Sequence, residues 1–136
     1  MELSKRILGM QASPIRRLVP YAEEAKRNGR SIYHLNIGQP DIKTPPGFFE
    51  AVRAYSRDVL AYAPSDGDPA LIDAIIRYYR GYGMEFERRN VLITYGASEA
   101  IAHTLMAVCD PGDEVLIPEP FYANYKTFVQ SVSGVV

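Results

Sequence analysis

Hydrophobic residues recur at helical spacing in the earlier part of this chain. In the later part, segments with helical spacing alternate with short continuous apolar runs. Apolar positions three and four residues apart predict three helices before Gly81. The face of the first helix ends at Asn28-Gly29 and consists of Ile15, Leu18, Val19, Ala22 and Ala25. The second helix, capped by Thr44, has a face made of Phe48, Val52, Tyr55 and Val59. The third, capped by Asp68, has a face made of Ile72, Ile75, Ile76 and Tyr79.

Three short runs of β-branched and aliphatic residues predict strands, at residues 32–35, 91–94 and 115–117. The second run enters a helix whose apolar face consists of Ala97, Ala100, Ile101, Thr104, Leu105 and Val108. A last helix is marked by Tyr122, Tyr125, Val129 and Val132, and a turn at Ser133-Gly134 leads towards another strand. Strand, helix and strand in this order predict βαβ units. We therefore expect an α/β fold with helices flanking a mostly parallel sheet.

The junction between residues 91–94 and the following helix has the features of an anion site. The helix is expected to open at Gly96, where the first backbone N–H groups have no intrahelical partner and lie at the positive end of the helix dipole. The amides of Ala97 and Ser98, with the Ser98 hydroxyl, would then cradle a phosphate, and Gly96 would allow its close approach. The alternative is that Ser98 only caps the helix.

A second segment is expected at the same edge of the sheet as this junction. The Asp110-Pro111-Gly112-Asp113 turn precedes residues 115–117, and the corner Pro118-Glu119-Pro120 then delivers Tyr122. The crossover of a βαβ unit makes its strands parallel, so both strand ends meet at one edge. An aromatic ring and a phosphate cradle would therefore lie together there, although Tyr122 alone would be expected to pack in the core.

With these motifs in place, the chain resembles the class I/II aminotransferases, the fold type I enzymes that use pyridoxal 5′-phosphate. The resemblance runs through nearly the whole chain and implies the N-terminal part of the aspartate-aminotransferase fold. It implies that Gly96, Ala97 and Ser98 bind the cofactor phosphate and that Tyr122 stacks on the pyridine ring. Stacking and fixed amide donors suit a planar, dianionic cofactor.

Two earlier segments extend the resemblance. In Leu35-Asn36-Ile37-Gly38-Gln39-Pro40-Asp41 it implies that Gly38 meets the substrate carboxylate with its backbone N–H. In the stretch from Ala61 to Leu71 it implies a homodimer in which Tyr62 reaches the cofactor phosphate of the partner subunit. The family usually has an arginine where this chain has Ile72, which puts a local salt bridge in doubt.

Composition narrows the remaining possibilities. The chain has 136 residues, 47% hydrophobic content and a net charge of −1, which suggest a domain-sized core and no nucleic-acid partner. Without a signal-peptide pattern or a membrane-spanning run, we expect a cytoplasmic protein. His34 and His103 lie far apart and outside any metal-binding spacing, so no metal site is expected.

The catalytic lysine expected of an aminotransferase is not identifiable in this chain. The chain's lysines, Lys5, Lys26, Lys43 and Lys126, lie outside the Ser-x-x-Lys setting in which the family places the lysine that forms a Schiff base with the cofactor. We therefore expect an N-terminal fragment that is inactive alone and is partnered by the rest of the same protein. Residues 1–40 would belong to the small domain and dimer interface, and residues 41–136 would begin the large cofactor-binding domain.

The expected reaction of the full-length protein is transfer of an amino group from an amino acid to a 2-oxo acid. Two alternatives within the same fold are a carbon-sulfur lyase and the non-catalytic aminotransferase-like domain of a transcription regulator. The basic pairs Arg16-Arg17 and Arg88-Arg89 form too thin a patch for nucleic acid. The sequence does not indicate which amino acid is the substrate.

Overall fold

The computed structural model describes residues 2–136, which divide into two compact units. The central unit is Ile37–Ile93, and the split unit combines residues 2–36 with Thr94–Val136. In chain order, the α-helices are α1 (Lys5–Leu8), α2 (Val19–Arg27), α3 (Pro46–Ala54), α4 (Pro69–Arg80), α5 (Ala97–Val108) and α6 (Asn124–Ser131). Short 3₁₀ helices cover Arg16–Leu18 and Arg88–Asn90.

The central unit is built around α4. Asp68 is its N-cap, and the carboxylate accepts hydrogen bonds from the amides of Ala70 at 2.8 Å and Leu71 at 3.3 Å. Ile72 and Ile76 are 2% and 8% exposed and form the core of this unit. The predicted helix and cap are confirmed. Ile72, which departs from the family's arginine, is a core residue here.

The start and end of α3 differ from the prediction. The helix runs over Pro46–Ala54, its N-cap is Pro45, and Tyr55 lies at its C-cap. Thr44 is therefore not the cap, and Val59 lies outside the helix. Two consecutive prolines explain the start, because a residue that precedes proline is disfavoured in helical conformation, and Pro46 suits the first helical position.

Two contacts hold the segments around α4. Arg88 binds the Asp73 carboxylate with two hydrogen bonds, of which the one from Nε to Oδ1 is 2.7 Å long. Hydrogen bonding from Arg88 holds the pKa of the Asp73 carboxyl below its ordinary value. The Ile93 amide donates to the Asp66 carbonyl at 3.0 Å. These contacts join the 3₁₀ helix Arg88–Asn90 to α4. They also join residues 91–93 to the turn that precedes α4.

The split unit is built around α5 and α6, which pack against each other. Val129 of α6 is 2% exposed and is the buried hydrophobic residue of this unit. The end of the helix predicted up to Asn28-Gly29 is confirmed in α2, with Asn28 at the C-cap and a φ of 75° at Gly29. Its start differs, because Ile15 and Leu18 of the predicted face precede α2, and Leu18 lies in the 3₁₀ helix Arg16–Leu18. The last predicted helix is confirmed as α6, although Tyr122 precedes it and Val132 lies at its C-cap.

The predicted sheet is wrong for the part of the chain that the structure describes. Residues 32–35, 91–94 and 115–117 form no strands of a sheet, and the β pairing is one parallel bridge between Glu114 and Val135. In that bridge the Val115 amide donates to the Val135 carbonyl at 2.8 Å. Strand residues need neighbouring strands to accept and donate their hydrogen bonds, and a βαβ order predicts direction without making successive strands adjacent.

The turn before residues 115–117 is confirmed, since Asp113 and Asp110 are joined by a 3.1 Å backbone hydrogen bond. The predicted division into domains at residue 40 stays a prediction. Among residues 2–136 there is no helix with both the length and the apolar character to cross a bilayer.

Candidate functional site

Helix α5 starts at the predicted glycine turn. Gly96 is the N-cap, with φ of 86° and ψ of 172°, and Ala97 is the first helical residue. This φ lies in a region that only glycine adopts readily. A Cβ added at Gly96 would meet no described atom within 4 Å. The space in front of the helix start is therefore open, and the backbone can be approached closely.

The backbone N–H groups of the turn divide into two sets. The Gly96 amide donates to the Thr94 carbonyl at 2.8 Å, and the Tyr95 amide donates to the Glu99 carboxylate at 2.5 Å. Within the described chain, the amides of Ala97 and Ser98 have no hydrogen-bond partner. Unpartnered amides at the positive end of a twelve-residue helix attract an anion.

Ser98 does not cap α5. The N-cap position is Gly96, no side chain caps this helix, and Ser98 is the second helical residue. Its side chain is exposed and makes no capping hydrogen bond to the helix start. The alternative of a purely capping serine is therefore wrong, and the hydroxyl is free to bind a ligand beside the two amides.

Tyr122 lies in the same unit, immediately before α6. Its side chain is 50% exposed, so it is not a core residue. Asn124 Nδ2 donates to the Tyr122 hydroxyl at 2.7 Å, and the rings of Tyr122 and Tyr125 meet edge to face with centroids 5.7 Å apart. These two contacts fix the ring at its edge and its hydroxyl.

The other two predicted residues lie in the central unit. A Cβ at Gly38 would meet no described atom within 4 Å, and the Tyr62 side chain is fully exposed at 105%. Tyr62 belongs to an irregular segment that leads through Gly67 to α4. Gly96, Ala97, Ser98 and Tyr122 thus share the split unit, whereas Gly38 and Tyr62 share the central one.

Comparison with known proteins identifies the family. Residues 30–136 match the family described as Aminotransferase class I and II. The chain belongs to the class I and II aminotransferases. The resemblance predicted from the motifs is confirmed. Members of this family typically use pyridoxal phosphate.

Several curated and solved aminotransferases are similar to the chain over nearly all of its length. It is 33% identical over 137 residues to an aspartate aminotransferase of Geobacillus stearothermophilus, covering 99% of the chain and 35% of the relative. It is 36% identical to an asparagine–oxo-acid transaminase of Streptococcus mutans, covering 98% and 35%. The chain therefore spans about 35% of the length of these relatives.

Solved structures show the corresponding part of the fold. The aspartate aminotransferase from Rhizobium meliloti superposes with a TM-score of 0.90 at 31% identity, covering 99% of the chain and 34% of that structure. An alanine aminotransferase from Pyrococcus furiosus gives a TM-score of 0.88 at 34% identity, with 98% and 35% covered. The expected aspartate-aminotransferase fold is thus confirmed over about a third of its length, without the expected sheet.

The residues at the start of α5 fit the phosphate of this aminotransferase cofactor. A phosphate group needs several hydrogen-bond donors on one side, and the open turn supplies two backbone amides and a hydroxyl. Sequence reasoning missed three supporting side chains, Thr94, Glu99 and Asn124. The role of Glu99 could have been predicted from the sequence, because a glutamate at the third helical position is typical of a capping box. Thr94 and Asn124 had no comparable signal.

Proposed function

We propose that the whole protein is a pyridoxal-phosphate-dependent aminotransferase that transfers an amino group from an amino acid to a 2-oxo acid. The observation that carries the proposal is the α5 start, where unpartnered amides follow an open glycine turn in a chain of this family. When bound, the cofactor supplies the electron sink that allows a bond at the amino acid Cα to break.

In this proposal the α5 start binds the phosphate. The amides of Ala97 and Ser98 and the Ser98 hydroxyl donate to its oxygens, and the helix dipole adds a favourable field. Gly96 leaves room for the oxygens to approach the backbone. Fixed donors of this kind hold the cofactor in one position while other groups act on the substrate.

Tyr122 orients the cofactor ring by stacking. Its hydroxyl is held by Asn124 and its edge by Tyr125, so the ring loses little freedom when a planar ligand packs on its face. Half of the side chain is exposed, which leaves area for that contact.

Gly38 and Tyr62 of the central unit are each assigned a separate role in the proposal. We assign the Gly38 amide to the substrate carboxylate, since a Cβ at Gly38 would meet no described atom within 4 Å and the space beside this residue is open. We assign Tyr62 to the cofactor phosphate of the partner subunit in a homodimer, and its full exposure makes it available for an intermolecular contact. The lysine that bonds to the cofactor would come from a part of the protein outside this chain.

The names of the relatives favour amino transfer over the lyase alternative. The aspartate, asparagine and alanine enzymes are all transaminases by name, and they differ in the amino acid named. No feature of the described residues favours a carbon-sulfur lyase or a regulatory domain. The proposal therefore specifies the reaction class and leaves the amino acid open.

Ser98→Ala in the whole protein tests the phosphate assignment. Loss of a hydroxyl hydrogen bond to a charged group should weaken pyridoxal phosphate binding by roughly 1.5–3 kcal/mol. Binding is measured by titrating cofactor-free protein, and amino transfer is followed in parallel. Ser56→Ala, which removes the hydroxyl of an exposed serine elsewhere, is the matched control. Equal cofactor affinity in the two variants would refute the assignment.

A further inference from the structure

Three hydrogen bonds, made by two side chains and the backbone, fix the turn before α5. The Thr94 hydroxyl donates to the Gly96 carbonyl at 3.0 Å, and the Glu99 carboxylate accepts from the Tyr95 amide. The Gly96 amide donates to the Thr94 carbonyl at 2.8 Å. The turn is thus tied both to itself and to the first turn of the helix.

This arrangement matters because Gly96 would otherwise be free to adopt many conformations. Glycine has the largest choice of φ and ψ, so a glycine turn needs outside contacts to remain in one shape. The Gly96 carbonyl that accepts from Thr94 also accepts the first intrahelical bond, from the Ala100 amide at 3.3 Å. Thr94 therefore holds the carbonyl from which α5 begins.

Glu99 and the Thr94 carbonyl take up the two amides that precede the helix. The Glu99 carboxylate takes the Tyr95 N–H, and the Thr94 carbonyl takes the Gly96 N–H. The amides of Ala97 and Ser98 are left without partners in the described chain. A carboxylate at the third helical position is also favoured by the helix dipole.

We propose that Thr94 and Glu99 are positioning residues for the cofactor phosphate. They do not bind it; they hold the turn in the conformation that presents the Ala97 and Ser98 amides. This inference rests on the proposed function, because it concerns the same phosphate site. The hydrogen bonds are what these side chains contribute, so conservative replacements that keep the bonds should preserve binding.

The experiment compares pyridoxal phosphate with pyridoxal, which lacks the phosphate, in titrations of the cofactor-free whole protein. Glu99→Ala should weaken pyridoxal phosphate binding about fivefold, which corresponds to the free energy that a capping side chain typically contributes to a helix start. Glu99→Gln keeps an acceptor oxygen and should bind as the unchanged protein does. Thr94→Val should weaken binding, and Thr94→Ser should restore it. Pyridoxal affinity should stay unchanged in all four variants.

The outcomes separate the two proposals. Equal loss of affinity for both ligands in Glu99→Ala and Thr94→Val would show a general structural effect and overturn the positioning role. Unchanged pyridoxal phosphate binding in both variants would also overturn it. If the unchanged protein binds pyridoxal phosphate no better than pyridoxal, the phosphate site itself is wrong. Should Glu99→Ala not fold, the Thr94→Val and Thr94→Ser pair decides the question by the same ligand comparison.

Discussion

Gly67 occupies the one position in the segment between Tyr62 and α4 where a side chain cannot fit. It is buried, its φ is 114°, and an added Cβ would overlap the Cβ and Cγ1 atoms of Ile93. The adjacent Asp66 carbonyl accepts the Ile93 amide. The backbone must therefore pass very close to Ile93, and only glycine permits both the approach and the conformation.

Gly67→Ala should consequently destabilise the whole protein more than a similar change at Gly83. Gly83 also has a positive φ, 76°, but a Cβ there would meet no described atom within 4 Å. Backbone strain should cost about 1–2 kcal/mol in both variants, and the overlap with Ile93 should add about 1–3 kcal/mol at Gly67 alone. Thermal unfolding of the two variants measures the difference. Equal melting temperatures would contradict the close approach.

At the residue scale, the start of α5 was predictable because a local rule applied. Gly96 at a helix start, followed by Ala97 and Ser98, follows from the sequence because the apolar period and the glycine mark where the helix opens. The contacts of Thr94 and Glu99 depend on the exact turn conformation. A sequence pattern does not specify that conformation.

At the scale of elements, α2 to α6 were predicted because helix signals are local, although the cap and the end of α3 differ. Asp68 followed by Pro69 marks the start of α4, and Asn28-Gly29 marks the end of α2. The strands were not predicted correctly, because a strand needs neighbouring strands to make its hydrogen bonds. Residues 91–93 illustrate this: Val91 is extended, with φ of −124° and ψ of 122°, yet the Ile93 amide binds a turn and not a strand.

The ion pair between Arg88 and Asp73 joins the 3₁₀ helix to α4 and should respond to pH. The pKa of Asp73 is lowered, chiefly by the hydrogen bond from Arg88. A lowered carboxyl pKa means that the pair stabilises the fold above the ordinary value of 3.8 and that this contribution is lost as the pH falls through the lowered pKa. Because both side chains are partly exposed, the effect on overall stability should be small.

Arg88→Gln should therefore raise the pKa of Asp73 towards its ordinary value, as followed by NMR titration of the carboxyl carbon. Arg89→Gln is the matched control, since Arg89 pairs with Glu87 and not with Asp73. A change of the Asp73 pKa in the control, or none in Arg88→Gln, would argue against the pair.

For the whole molecule, the proposed homodimer makes a specific prediction about Tyr62. In a twofold dimer the exchange of Tyr62 is reciprocal, so each site combines one subunit's lysine with the other subunit's tyrosine. Tyr62→Phe subunits are mixed with subunits that lack the cofactor lysine. The hybrid dimer then has one site with both defects and one with neither, and its amino transfer should exceed that of either parent.

Tyr33→Phe mixed with the same lysine-deficient subunits controls for exposed tyrosines in general. The dimer made only of Tyr33→Phe subunits should already be active before mixing, since Tyr33 is assigned no role in the site. Suppose that the Tyr62→Phe dimer is impaired and that its hybrids with lysine-deficient subunits gain no activity over it. Tyr62 would then act in the site of its own subunit or in no site, and the exchange between subunits would be wrong.

The exposed area of the chain is large for its mass. A folded monomer of 15.2 kDa exposes about 7,100 Å² by the usual scaling with mass. This chain exposes 12211 Å², and the buried hydrophobic residues in its described part are Ile72, Ile76 and Val129. Such a small core offsets little of the conformational entropy lost on folding. We therefore expect these residues to fold stably only together with further protein surface.

A polypeptide of residues 1–136 should accordingly unfold without a cooperative transition and bind a hydrophobic dye, whereas the whole protein should melt cooperatively. It should also show no amino transfer with pyridoxal phosphate and any amino acid, because the proposed site lacks its lysine. Calorimetry, dye fluorescence and a transamination assay measure these properties. Turnover by this polypeptide would require a catalytic amine among Lys5, Lys26, Lys43 and Lys126, and would overturn the proposed division of the site between this chain and the rest of the protein.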